Sequence, residues 1–161
     1  MNTVIDSVTM SHILRCKSKK NETNTCLDTF IFKSKLFIIL DKDNGLVSEW
    51  QETCNADIIK VLITHWEKGI IIIDNPQKYS SAQSKSLRRF GFNDTIDKLI
   101  LRLAISISDS AIVSDDSDFW DPKIKGSQGD YDTVVAKFIK REFNVDVLIL
   151  TYLIDILSLV D

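Results

Sequence analysis

The sequence is poor in the residues that build loops and cross-links. It has only 5 glycines and 2 prolines, too few for a loop-rich or disordered chain. Its 3 cysteines are odd in number and form no CxxC pair, which excludes a disulfide framework and fits a reducing compartment. With 2 histidines, His12 and His65, far apart in sequence, a zinc site built from Cys and His is not expected. Charge of one sign is also lacking. A net charge of −3 gives no strong field and leaves a nucleic-acid partner open, since a local basic patch can coexist with an acidic pocket. No apolar run is long enough to span a bilayer: the longest, residues 145–160, is broken by Asp146 and Asp155. No basic start followed by an apolar core of about 7–15 residues marks a secretory leader, so a cytoplasmic protein with no membrane partner is expected.

Apolar residues are plentiful. At 44% of 161 residues they can fill one sizeable core, so a single domain over residues 1–161 is expected. Residues 2–5, 36–40, 70–73, 111–113 and 145–150 read as short strands, and residues 30–32 as a partner to 36–40 in a small hairpin through Lys33-Ser34-Lys35. Residues 8–16, 46–51 and 131–143 read as helices. So do residues 56–66, where Ile58, Ile59, Leu62, Ile63 and Trp66 recur at helical spacing and place Trp66 in the core. Residues 75–84 are polar and read as a loop. A helix capped by Asn93 or Asp94 runs to about Ser106, and Thr151 caps a last one. Strands alternating with helices predict a three-layer α/β/α fold around a mostly parallel sheet.

The stretch with the most chemistry is Ala111-Ile112-Val113-Ser114-Asp115-Asp116-Ser117-Asp118-Phe119. It is a buried strand that ends in a hydroxyl and a cluster of acids. Carboxylates just past the carboxyl end of such a strand lie where open α/β sheets bind their ligands. Clustered like charges repel, and a fold that gathers them offers a cation or a shared proton in return. Residues 2–5 end in the same way, in Asp6-Ser7, and Asp97 sits in the first turn of a later helix. Parallel strands put all these ends on one edge. Carboxylates without His or Cys select hard cations, Mg²⁺ or Mn²⁺. Two such ions can activate water and stabilise a leaving oxygen in phosphodiester cleavage.

In order and placement these residues resemble the PIN-domain nucleases over nearly the whole chain. Ile5-Asp6-Ser7 is similar to the family's first acidic step, Asp97 to its helix-opening acid, and Ser114-Asp115-Asp116-Ser117-Asp118-Phe119 to its final motif. Ser48-Glu49-Trp50 resembles the acid-aromatic step of some members, with Glu52 as a competitor; Asp94 competes with Asp97. The resemblance implies a metal-dependent endonuclease acting on RNA or single-stranded nucleic acid. Asp6, Asp97 and Asp116 would bind Mg²⁺ or Mn²⁺, Glu49 and Asp118 would complete the catalytic cage, and Ser114 would support it. It also implies an antitoxin or another protein as a partner in a toxin or phage-defence setting, and a homodimer as an assembly state.

Each motif has a plainer alternative. An Asp after a strand is commonly a turn or cap residue. Asp115 is expected to face solvent, and His12 and His65 to be surface residues. Lys17, Lys19, Lys20, Lys85, Arg88 and Arg89 are candidates for nucleic-acid contact around the pocket, or simply a solvated face. Trp120, more than Trp50 or Trp66, is placed to stack a base. Two other functions compete with cleavage. One is a catalytically degenerate PIN-like module that binds nucleic acid or a protein without cutting. The other, weaker, is a receiver-type signalling domain, which would place its acid pair near the first strand and a lysine after a late one.

Overall fold

The computed structural model describes residues 1–18, 36–54, 62–63, 66–116, 119 and 134–149. Among the described residues five strands form one all-parallel sheet: β1 (Asn2–Ile5), β2 (Phe37–Asp41), β3 (Ile71–Asp74), β4 (Ser110–Val113) and β5 (Asp146–Leu148), in the order β3-β2-β1-β4-β5. Five helices accompany it among the described residues: α1 (Ser7–Ser18), α2 (Gly45–Cys54), α3 (Ser81–Arg89), α4 (Thr95–Ser106) and α5 (Val134–Phe143). The chain steps outward from β1 to β3, then crosses back past β1 to β4 and β5. Right-handed crossovers are expected to put α1 and α2 on one face and α4 and α5 on the other. Helix α1 packs on α2, α4 on β1, β2 and β4, and α5 on β5, while α2 also meets α4 where Leu99 approaches Gly45. The result is the three-layer α/β/α architecture expected.

Burial explains the sequence of the strands. Central β4, Ser-Ala-Ile-Val, is buried throughout, as a strand covered on both faces must be. The edge strands β3 and β5 are only partly buried. Residues 36–40, expected as one arm of a hairpin, form a strand flanked on both sides by parallel neighbours, β1 and β3. The other arm, residues 30–32, lies outside the described residues. So do most of the expected helix over 56–66 and the final helix from Thr151. Trp66 is described, and at 59% exposure it is a surface residue rather than the core residue its spacing suggested. No helix among the described residues is long and apolar enough to cross a membrane.

The region read as a polar loop over 75–84 contains the start of α3. Ser80 caps it: its side chain accepts from the Gln83 N–H while the Gln83 side chain accepts from the Ser80 N–H, a reciprocal capping box. Only Leu87 of this helix is buried, so it has little apolar periodicity to reveal it.

Helix α4 begins as its sequence suggests. The Asp94 carboxylate accepts from the Ile96 N–H at 2.7 Å and satisfies one of the helix's open donors. An Asp94→Ala protein is expected to lose about 1 kcal/mol of stability, measured as a lower urea midpoint with an unchanged slope.

Candidate functional site at the carboxyl edge of the sheet

The strand order reverses between β1 and β4. This is the switch point where open α/β sheets have a crevice beyond the strand carboxyl ends. Ile5 pairs with Val113, so the next residues off the sheet, Asp6 and Ser114, emerge side by side. The Asp6 N–H closes the ladder on the Val113 carbonyl at 2.9 Å, and the Ser114 N–H does the same on the Leu148 carbonyl at 2.9 Å. Two residues 108 apart in sequence are thereby fixed as neighbours by parallel register alone.

Asp6 is 3% exposed. Its Oδ1 accepts from the Ser7 N–H at 2.6 Å, with the Ser7 hydroxyl at 3.5 Å, and its Oδ2 accepts from the Ser114 hydroxyl at 3.0 Å. Burial pushes the Asp6 carboxyl up to about 6, and the charge of Asp116 adds to the rise. The Ser114 hydroxyl and the Ser7 donors pull the other way. Ser114, fully buried, joins the two acids: its hydroxyl donates to Asp6 and accepts from the Asp116 N–H at 3.0 Å.

Glu49 reaches the same corner from α2. Its Oε1 accepts from the Ser7 hydroxyl at 3.4 Å and from the Thr53 hydroxyl at 3.4 Å. Glu52, the competing acid, is exposed. Helix α2 is aimed by Asp41, whose two carboxylate oxygens accept from the N–H groups of Gly45 (2.7 Å) and Leu46 (2.9 Å). Asn44 turns the chain there with φ 58, and the approach at Gly45 is close: a Cβ would stand 2.9 Å from Leu99 Cδ2 and 3.2 Å from Asp41 Oδ2, so the Leu99 side chain would have to shift. Trp50 then locks the helix to the site. It is fully buried, and its indole N–H donates to the carbonyl of Ile5, the residue before Asp6, at 3.1 Å. Burial removes Trp50 as a base-stacking surface.

Between Asp94 and Asp97 the structure distinguishes clearly. Asp94 is the exposed cap, while Asp97 is 6% exposed, in the first turn of a helix that packs on β1 and β4. Asp115, expected to face solvent, is tied to α1 instead. Its N–H donates to the Thr9 hydroxyl at 2.7 Å, and its carboxylate meets His12 Nδ1 at 2.8 Å. That link clamps the loop after β4 onto the helix after β1. Asp118, Trp120, Lys19 and Lys20 lie outside the described residues.

The structure thus brings together Asp6, Ser7, Glu49, Ser114 and Asp116 around one corner. Among the described residues, no three His, Cys, Asp or Glu side chains stand close enough to hold one metal ion, so Asp6, Asp97 and Asp116 do not form a ready trio. In kind the donors suit a hard cation. All are oxygens, and a buried carboxyl raised by burial and by a neighbouring acid gains most from a positive charge. A carboxylate has about four acceptor positions, so the hydroxyl and N–H bonds to Asp6 do not exhaust it.

Lys85 and Arg88, expected near the acids, line a separate groove on α3 and α4 that contains none of these residues, while Arg89 is exposed and outside that lining. Sequence reasoning missed Asp41 and His12. Asp41 sits at the end of an apolar run four residues before Gly45, and that spacing to a helix start was its signal. Nothing local connects His12 to Asp115. No family model matches the chain, and no curated protein sequence matches it.

Proposed function

We propose that the protein is a PIN-like, Mg²⁺- or Mn²⁺-dependent endonuclease that hydrolyses phosphodiester bonds in RNA. One observation carries this: a buried Asp6 carboxyl, raised by burial and by the charge of Asp116 and bridged to it by Ser114, at the switch point of a parallel sheet. Perturbed acids in such a crevice are a mark of function. Asp6 and Asp116 would hold the cation, with Glu49 on the far side of Ser7 and Asp97 in the first turn of α4 as further acids of the site. A cation there would lower the pKa of water and offset charge on the phosphate. Ser114 fixes the Asp6 carboxylate and the backbone of Asp116 in one geometry, and Trp50 and Asp41 hold Glu49 against the same corner.

The test is incubation of the purified protein with RNA and Mn²⁺. Cleavage that EDTA abolishes is expected; RNA left intact at all Mn²⁺ concentrations would sink the proposal. The absence of a ready trio among the described residues favours one alternative, a PIN-like module that binds nucleic acid or a protein partner without cutting. Calorimetry separates the two: no Mn²⁺ binding below millimolar concentration selects the alternative.

A further inference from the structure

The groove between α3 and α4 has a volume of about 720 Å³ and is lined by Lys78, Lys85, Arg88, Lys98 and Arg102, with Tyr79 as its aromatic wall and no carboxylate among the described residues. Its cations come from two helix stripes that face one another. Lys85 and Arg88 are three apart on α3, and Lys98 and Arg102 are four apart on α4, so each pair shares one side of its helix. Among the described residues none of the five is in an ion pair. Two are held in place by neutral carbonyls: the Arg102 guanidinium donates to Gln77 O at 3.1 Å and Pro76 O at 3.4 Å, and the Lys98 ammonium donates to Asn93 O. Like charges gathered without counter-charges repel one another, and each added negative charge in the groove relieves that repulsion.

We propose that this groove binds a nucleoside polyphosphate, with the linked phosphates as the determinant. The choice rests on charge density. In linked phosphates every phosphorus brings its own negative charge within a few bonds of the next. A nucleic-acid strand separates its charges by a whole sugar, and an extended acidic peptide turns alternate side chains away from any one wall. Five cations without an ion-pair partner among the described residues, gathered around one groove, are best matched by the first. Arg88 and Arg102 present planar forks suited to phosphate oxygens, and the lysines add point charges. The site shares no residue with the acidic corner and does not depend on the proposed nuclease function.

The experiment is equilibrium binding by calorimetry to the full chain in EDTA, which keeps metal-dependent chemistry silent. The probes are inorganic tripolyphosphate, ATP, ADP, AMP and adenosine, beside a 5′-hydroxyl single-stranded oligoribonucleotide and a polyglutamate peptide. Saturable binding of tripolyphosphate and ATP is expected, tightening roughly threefold or more with each added phosphate and weakening with salt, and adenosine should not bind. Arg88→Glu and Lys98→Glu should each weaken ATP by about tenfold or more without lowering the thermal midpoint, since each also relieves repulsion among the remaining cations. Absence of saturable ATP and tripolyphosphate binding, or charge reversals that bind as tightly as wild type, would overturn the proposal. Tighter binding of the oligoribonucleotide or the peptide than of tripolyphosphate, weakened by the same substitutions, would reassign the groove to that polymer.

Discussion

An Asp6→Asn protein is expected to be more stable than wild type at pH 7.5 and, under the proposed function, to lose cleavage by about a hundredfold or more. The two effects have one cause. In the folded protein the Asp6 carboxyl is raised from 3.8 to about 6, so keeping it ionised at neutral pH costs stability. At about 1.4 kcal/mol per pH unit, that cost is at most about 3 kcal/mol. Asparagine removes it and keeps an oxygen for the Ser7 N–H, but the Ser114 hydroxyl loses its acceptor at a cost of about 1 kcal/mol or more, so a net gain of up to about 2 kcal/mol is expected.

The sign follows from proton counting. Between pH 3.8 and about 6 the folded chain holds a proton that the unfolded chain has released. The contribution of Asp6 is therefore fully present below pH 3.8 and is lost as pH rises through about 6. Urea unfolding should separate the two proteins at pH 7.5 and bring them together near pH 3.5. Added Mn²⁺ should stabilise the wild type and not the variant. An asparagine protein less stable than wild type at pH 7.5 would show that the carboxylate is a favoured anion, and the main support for a cation site would be gone.

The second large effect is expected at Trp50. Truncation to alanine empties a fully buried indole volume and strips the Ile5 carbonyl of its donor. Such changes cost about 3–5 kcal/mol, with up to about 1–3 kcal/mol more for the orphaned carbonyl. Trp50→Phe keeps most of the volume and loses the hydrogen bond, so it should fall between the two proteins. The free energies come from denaturant unfolding at fixed slope. Because Trp50 lies beside Glu49 and bonds the residue before Asp6, Trp50→Phe should also lower any cleavage activity more than its stability loss explains. A phenylalanine protein as stable as wild type would mean the indole N–H bond to Ile5 contributes nothing.

What could be read from the sequence follows from where apolar residues dictate structure. Strand β1 runs over Asn2–Ile5 as its composition indicated, and α4 ends at Ser106 behind the Asp94 cap. Both carry local signals, an apolar run ending in an acid and a cap before an apolar stripe. Helix α3 carries one buried residue, and its first turn falls within the polar stretch 75–84 that reads as a loop, although Ser80 and Gln83 stand at capping-box spacing. Trp66 fitted a helical stripe yet is exposed, since periodicity shows a side of a helix but not what covers it. The closeness of Asp6 and Ser114 depends on strand order and register, which are set by crossovers rather than by either segment. For the same reason the ties of Asp115 to Thr9 and His12 had no local sign.

The central position of β1 also has a meaning in time. Its partner β4 lies 108 residues downstream, measured between Asp6 and Ser114. At about 5–20 residues per second of synthesis, that separation corresponds to roughly 5–20 s. Throughout that interval one edge of an apolar strand has no native neighbour, which makes the nascent chain vulnerable to mispairing and dependent on late segments for its fold. The same delay is protective. Asp6 cannot meet Ser114 and Asp116 until β4 has emerged, so the acidic corner cannot assemble before β1, β2 and β3 have all been synthesised.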